Sequence, residues 1–282
     1  MNLDLEIEGF DSKRRFGGLA RLYGVAGAAR IQSAHIVVVG LGGVGSWSAE
    51  AAARSGVSRL TLIDFDHVAE SNINRQIHAI DSTLGQAKVH AMRDRIGQIN
   101  PACRVDCIEE FVDSSNWPAL MSDYQNVDQT LFAVVDACDQ VDAKTAIAAW
   151  AIQNKMNLIA VGAAGGKRHA HRVDIDDLSA VTHDPLLAKM RYQLRRSHGI
   201  NRQGKMNVAC VFSRESVSQP TIKATKISSI ETSREKHTLL LPASGQTGGG
   251  LNCQGYGSVV SMTSTFGMCA AGWVFNKIAG IP

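Results

Sequence analysis

The sequence predicts an α/β fold: a doubly wound, mostly parallel sheet, extended by antiparallel strands in the C-terminal half. Three observations predict it. Between His35 and Val161, short apolar runs of strand length alternate with helix-length segments, the pattern of parallel strands covered by helices on both faces. A glycine-rich turn, Gly40-Leu41-Gly42-Gly43-Val44-Gly45-Ser46, joins the first run to the first helical segment of this region. Polar and acidic residues collect after the runs, at Asp64 and Asp139, where open parallel sheets bind ligands at the carboxyl ends of their strands.

Each element has its own justification. Residues 1–12 read as a flexible tail. Lys13, Arg14, Arg15, Arg21 and Arg30 lie among glycines that should break regular structure, so a solvated amphipathic lead-in is expected. Ile36–Val39 is the first strand, and the alanine-rich segment Ala49–Ala53 is the helix after the turn. Leu60–Ile63 is the second strand and ends in Asp64-Phe65-Asp66. Val89, Met92, Ile96 and Ile99 recur at helical spacing, and Pro101 stops that helix. Val105–Phe111 reads as the third strand, Trp117 and Leu120 as a short crossover, and Thr130–Val135 as the fourth strand. Ala143–Gln153 is helical and Leu158–Val161 is the fifth strand. These make residues 13–166 one nucleotide-binding, Rossmann-like part.

The alternation stops at Gly162-Ala163-Ala164-Gly165-Gly166, and residues 167–282 read as a substrate-facing part of the same globular domain. His171–Asp176 alternates with period two, as a half-exposed antiparallel strand does. Leu186, Met190 and Leu194 mark an amphipathic helix, and from Lys189 to Lys205 six basic residues occur without an acidic one. Ser213–Leu241 is polar, read as a mobile loop with an edge strand from His237. Val259–Ile278 is long enough for a membrane span, but its polar residues and small-residue content argue for a buried helix at the core or a dimer interface.

Composition sets the bounds. A chain of 282 residues, 45% hydrophobic, can bury a substantial core. A net charge of +3 does not by itself mark a nucleic-acid binder. The cysteines at 103, 107, 138, 210, 253 and 269 form no C-x-x-C pair, so no structural zinc and no disulfide framework are expected. Residues 1–9 are acidic and lack an apolar signal core, which makes a cytoplasmic setting the expectation, with no membrane association.

The chemistry concentrates in one stretch. Gly40, Gly42 and Gly45 fit G-x-G-x-x-G, which gives a tight turn and close backbone approach to a phosphate. The following helix offers free N–H groups to an anion. Asp64 lies 19 residues beyond Gly45, the distance at which a carboxylate meets ribose hydroxyls. Those features alone describe a dinucleotide site. Arg75 and Lys88 follow, and two fixed cations suit a triphosphate better than a pyrophosphate. Asn72 is a further polar candidate. Asp139 is placed to hold magnesium against phosphates, or to cap the next helix. Asp136 reads as structural.

Gly-Leu-Gly-Gly-Val-Gly-Ser, Asp64-Phe65-Asp66, Ser71-Asn72-x-x-Arg75-Gln76, Gly85-Gln86-x-Lys88 and Asp136-Ala-Cys-Asp139, in this order, resemble the ubiquitin-activating-enzyme-like adenylating superfamily, which includes the sulfur-carrier-activating enzymes. Arg15–Gly24, Asn74–Ala79 and Cys210–Ser213 resemble one branch, the tRNA threonylcarbamoyladenosine dehydratases, over about 14–276. The resemblance implies magnesium-ATP as cofactor, with Gly40, Gly42, Gly43, Gly45, Asp64, Asp66 and Asn72 around it. It implies Arg75, Lys88 and Asp139 as the catalytic set, adenylation of a carboxylate on tRNA, and cyclisation. It also implies a homodimer in which Arg15 or Arg21 reaches a neighbour's nucleotide, and a cysteine-desulfurase-type partner for sulfur transfer. Under it, Lys189, Arg191, Arg195, Arg196, Arg202 and Lys205 become backbone contacts to tRNA, and Cys253 matches a family cysteine that a buried, structural thiol also explains. Two other readings compete: an adenylating enzyme for a sulfur-carrier protein, and an oxidoreductase or non-catalytic nucleotide-binding module.

Overall fold

The computed structural model describes residues 10–124, 127–218 and 256–281. Two helices lead in, α1 (Ser12–Phe16) and α2 (Gly18–Gln32). Then follow β1 (His35–Val39), α3 (Gly45–Arg54), β2 (Arg59–Ile63), α4 (Lys88–Ile99), β3 (Arg104–Ile108), α5 (Trp117–Leu120), β4 (Phe132–Asp136), α6 (Val141–Asn154) and β5 (Asn157–Val161). The C-terminal half contributes β6 (Val173–Asp177), α7 (Pro185–Ser197), β7 (Ala209–Ser213) and α8 (Val260–Ala279).

Seven strands form one sheet in the order β3-β2-β1-β4-β5-β7-β6. All neighbours run parallel except β6, which pairs antiparallel with β7 at the edge. The chain leaves β1 toward β2 and leaves β4 toward β5, so a crevice opens where these two neighbours end. Val39 lies opposite Asp136 there. The strand ends are tied by Gly40 N to Ile63 O and Ala137 N to Val39 O, both 2.8 Å.

β1 shows why the strands read as unbroken apolar runs rather than alternating ones. Ile36 and Val38 face one core with α3, α4 and α8, while Val37 and Val39 face the other with α5, α6 and α7. A strand covered on both faces has no solvent side to carry polar residues. Each such fully buried aliphatic side chain contributes about 1.5–3 kcal/mol.

The C-terminal helix is buried along one face, from Met262 through Phe266, Ala270 and Val274 to Ile278. Gly267 lets it approach α3 closely: a β-carbon there would run into the Val44 carbonyl and Trp47, and Ser48 Oγ donates to Gly267 O at 3.0 Å. Among the described residues no helix is long and apolar enough to cross a membrane.

Two expectations need correction. The lead-in is not solvated throughout, because the far end of α2 buries Gly27, Ala28 and Ile31. Its glycines interrupt it as expected, Gly17 between α1 and α2 and Gly24, with φ 72° and ψ 167°, within α2, while the stretches between them are helical and Asp11 caps α1 through Arg14 N. The third strand stops at Ile108, leaving Phe111 57% exposed in the loop beyond. Cys210–Ser213, quoted above only as a motif, lies in β7, inserted between β5 and the antiparallel edge. The edge strand expected from His237 lies outside the described residues, as does Cys253.

Candidate functional site

A cleft of about 750 Å³ opens at the carboxyl ends of β1, β2 and β4. Its floor is the turn after β1. Gly40 takes φ 84°, a left-handed conformation that favours glycine, and a β-carbon there would sit 3.0 Å from the backbone of Ala137 and Cys138. At Gly45 a β-carbon would collide with the Gly40 carbonyl, so the turn closes only with glycine at both ends. Gly42 is the opposite case: a β-carbon would meet nothing within 4 Å, because its Cα faces open cleft. The N–H groups of Gly42, Gly43 and Val44 have no backbone acceptor among the described residues. Together with the start of α3 they form an anion-binding concavity.

The acidic end of β2 is anchored on that turn. Asp64 Oδ2 accepts from Leu41 N, and Oδ1 accepts from Asp66 N at 2.8 Å. Burial pushes the Asp64 carboxyl up, against the pull of Lys88 and of these two N–H groups. The loop after β2 is stitched to the start of α4 by a bridge between His67 and Ala87 and by Val68 N to Gln86 O at 2.8 Å. This places Lys88, the first residue of α4, inside the cleft. Its Nζ lies 2.7 Å from Asp66 Oδ2 and 3.9 Å from Asp64 Oδ1.

A 3₁₀ turn at Glu70–Asn72 positions the cationic loop, and Asn72 Oδ1 fixes that turn by accepting from Ala69 N at 3.1 Å. Trp47 Nε1 of α3 donates to Arg75 O at 2.9 Å, which binds the loop to the glycine turn. Arg75 Nη1 donates to Ser71 O at 2.8 Å and Asn74 Oδ1 at 2.9 Å. Its Nε and Nη2 have no partner among the described residues and so remain available to an anion. Burial lowers its affinity for the proton, although an arginine stays charged in any ordinary medium.

Beyond β4 the chain makes a second acidic end. Asp136 is fully buried and pairs with the equally buried Lys144 at 3.0 Å. The same Nζ donates to Asp136 O and Cys138 O, each at 3.0 Å, so one cation organises the whole turn. Asp139 sits on its outer side. The helix cap expected of it is not formed, since Gln140 takes the N-cap position with no side-chain bond. The Asp139 carboxylate is neither hydrogen-bonded nor ion-paired among the described residues, and it lines the cleft. A single free carboxylate beside a phosphate cradle suits magnesium, which typically takes one or two carboxylates, phosphate oxygens and water.

The cleft therefore gathers Gly40, Gly42, Gly43, Asp64, Asp66, Asn72, Arg75, Lys88 and Asp139. Gly45 lies beneath the turn rather than in the cleft wall. Arg15 and Arg21 do not line the cleft of their own chain; Arg15 Nη1 is held by Ile99 O at 2.7 Å at the far end of α4. Phe65, Phe111 and Tyr256 also line it, and sequence reading passed over all three. Phe65 lies inside a motif quoted above, whereas Phe111 is read above as the end of the third strand. The basic residues of α7 lie elsewhere and divide by role. Arg191 Nη1 is spent on Leu178 O and Val181 O, each at 2.9 Å, and Arg195 Nη2 on Arg202 O at 3.1 Å. Lys189 and Arg196 line a separate groove.

The family model described as the ThiF family matches residues 16–282. The chain is 39% identical over 269 residues to the tRNA threonylcarbamoyladenosine dehydratase of Escherichia coli K12, covering 94% of each. The protein of the same name from Haemophilus influenzae matches at the same identity and coverage. Crystal structures of the E. coli tRNA N6-threonylcarbamoyladenosine dehydratase in complex with AMP and with ATP align over 95% of each chain at 37% identity, with TM-scores of 0.79 and 0.78.

Proposed function

The chain belongs to the ThiF family, and from that premise we propose that it is an ATP-dependent tRNA threonylcarbamoyladenosine dehydratase. The near full-length identity to two enzymes of that name supports the activity. The convergence of the glycine turn, Asp64, Arg75, Lys88 and Asp139 on one cleft is the observation that carries the chemistry.

In this reading the amides of Gly42, Gly43 and Val44 and the start of α3 take ATP phosphate oxygens. Asp64 accepts from the ribose hydroxyls, and Phe65 and Phe111 flank the base. Lys88 leaves Asp66 for a phosphate, and the free Nε and Nη2 of Arg75 stabilise charge at the α-phosphate. Asp139 would hold magnesium, which when bound supplies charge neutralisation on the phosphates. The threonyl carboxylate of the tRNA nucleoside attacks the α-phosphorus, and pyrophosphate leaves. Its carbamoyl group then attacks the activated carbonyl and AMP departs, for a net loss of one water. In the first step the nucleophile is already anionic, so no general base is required there and positioning supplies most of the rate; in the second the attacking carbamoyl group releases one proton to solvent as AMP departs.

We also propose that the protein works as a homodimer. Leu22 and Val25 of α2, 77% and 81% exposed, support a partner face there. Of the two N-terminal arginines, Arg21 is the better candidate to reach a neighbour's nucleotide, since Arg15 is held within its own subunit.

Nucleoside mass analysis of tRNA carrying threonylcarbamoyladenosine, incubated with protein and magnesium-ATP beside Arg75→Ala, tests the reading. An ATP-dependent loss of one water, absent in the variant, is expected. An unchanged mass, with pyrophosphate exchange appearing only on addition of a small carrier protein, would replace it with the sulfur-carrier reading.

A further inference from the structure

We propose that the groove between α6 and α7 is a docking channel for the RNA strand that flanks the nucleotide held in the active-site cleft. The proposal rests on the dehydratase reading, which supplies the RNA, and concerns a surface separate from the nucleotide cleft.

The groove has a volume of about 1200 Å³ and starts at the cleft's own edge. Gln140 and Ala143 line the cleft, while Asp142, Thr145 and Gln153 of the same helix line the groove. On α7, Leu186 belongs to the cleft and Lys189 to the groove. A strand leaving the cleft has this path along α7, whose 13 residues span about 20 Å.

Its chemistry fits a polyanion with stacking bases. No acidic residue occurs between Pro185 and Lys205. Arg191 and Arg195 spend donors on backbone carbonyls of their own chain, which leaves Lys189 and Arg196 facing the groove with His198 beyond. Tyr192 stands between them, 61% exposed, its hydroxyl 3.5 Å from Arg196 Nη1. An exposed aromatic face beside a guanidinium is the combination that stacks unpaired bases and tracks their phosphates. Asp142, the acidic residue lining the groove, already accepts from Gln193 Nε2 at 2.8 Å, and Gln193 is held in turn by Thr145 Oγ1 at 2.7 Å. That arrangement fixes the groove wall and keeps the carboxylate engaged away from an incoming phosphate.

The test is tRNA binding by fluorescence anisotropy across a salt series, with full-length protein. Tyr192→Ala should weaken binding about tenfold. The double variant K189Q/R196Q should lower the slope of log affinity against log salt by about 1.4, as two lost phosphate contacts to a single strand require. ATP affinity and thermal midpoint should stay at wild-type values in both. Arg104→Gln, at the opposite edge of the sheet, should leave the salt slope unchanged. Groove variants that bind tRNA with wild-type affinity and slope, while wild-type protein still removes water from the nucleoside, would overturn the docking channel and leave the dehydratase reading standing. Wild-type protein that neither binds nor modifies tRNA would overturn both.

Discussion

Two lysine–aspartate pairs lie near the carboxyl ends of β2 and β4; the first lines the cleft, and the second is buried and does not reach it. Lys88 and Asp66 meet at 2.7 Å, but the Asp66 side chain is 70% exposed. Lys144 and Asp136 meet at 3.0 Å and are both fully enclosed. Their surroundings differ accordingly. Lys144 spends its remaining donors on the carbonyls of Asp136 and Cys138, and although burial pushes its pKa down, the Asp136 charge and hydrogen bond, together with Cys138 and Cys210, outweigh this and hold it above the ordinary lysine value. Lys88 bonds only to carboxylates, one of which can return to water at little cost. A cation with an exposed partner can exchange it for a phosphate; a cation wired to backbone carbonyls can only hold a loop in place. On the proposed function, the difference separates a residue placed to meet substrate from one that holds the turn carrying Asp139.

Lys144→Met should break the comparison most visibly. It leaves Asp136 charged and enclosed, at a cost of about 3–5 kcal/mol in denaturant unfolding, and a loss no greater than that of Lys88→Met would show that the two pairs are equivalent after all. Lys88→Met, whose nearer partner Asp66 is open to water, should cost less, about 1–2 kcal/mol of stability, while ATP-dependent dehydration falls steeply. Arg75→Ala belongs with Lys88: its rate should fall about 10²–10³-fold, as for loss of one charge-stabilising donor, with the unfolding midpoint unchanged.

Acid sharpens the contrast. His78 is buried with neither ring nitrogen hydrogen-bonded, and its pKa is lowered to about 4, first by burial and then by the charges of Lys88 and Arg95. The unfolded chain titrates near 6.5, so it binds more protons than the folded chain between those values. Stability should therefore fall as pH drops from 6.5 toward 4, by about 2–3 kcal/mol from this residue. Followed by NMR, the His78 midpoint should rise in Lys88→Met and stay put in a cavity-neutral variant remote from it, such as Leu22→Ala. The smallest effect belongs to Asp139→Asn, which should raise the magnesium requirement for activity about tenfold, or about 1.4 kcal/mol, without altering the unfolding curve. A stability loss there would mean that Asp139 holds the turn instead.

Much of the cleft is legible along the chain because its parts are short-range. Gly40, Gly42 and Gly43 are set by one turn, and Asp64, Arg75 and Lys88 follow within a few dozen residues at spacings fixed by one strand–helix–strand unit. The buried end of the lead-in is not legible locally, because it depends on Gly27 meeting Ala279 of the distant C-terminal helix and on Ile31 joining the core. β7 is not legible because its five residues carry no period of their own; Cys210 and Phe212 become core only when β5 and β6 flank them.

The sequence by itself determined the order of strands and helices from β1 to β5, the glycine turn, and the residue types that can meet a nucleotide, since these depend on local backbone preference and on periodicity. Only the tertiary structure decided which charges are free. Asp136 and Asp139 stand three residues apart, and Arg191 and Arg196 lie on one helix, yet in each pair one side chain is consumed inside the fold and the other is left facing a cavity. That choice depends on which distant carbonyl or ammonium group lies within 3 Å, and no local pattern in the chain records it.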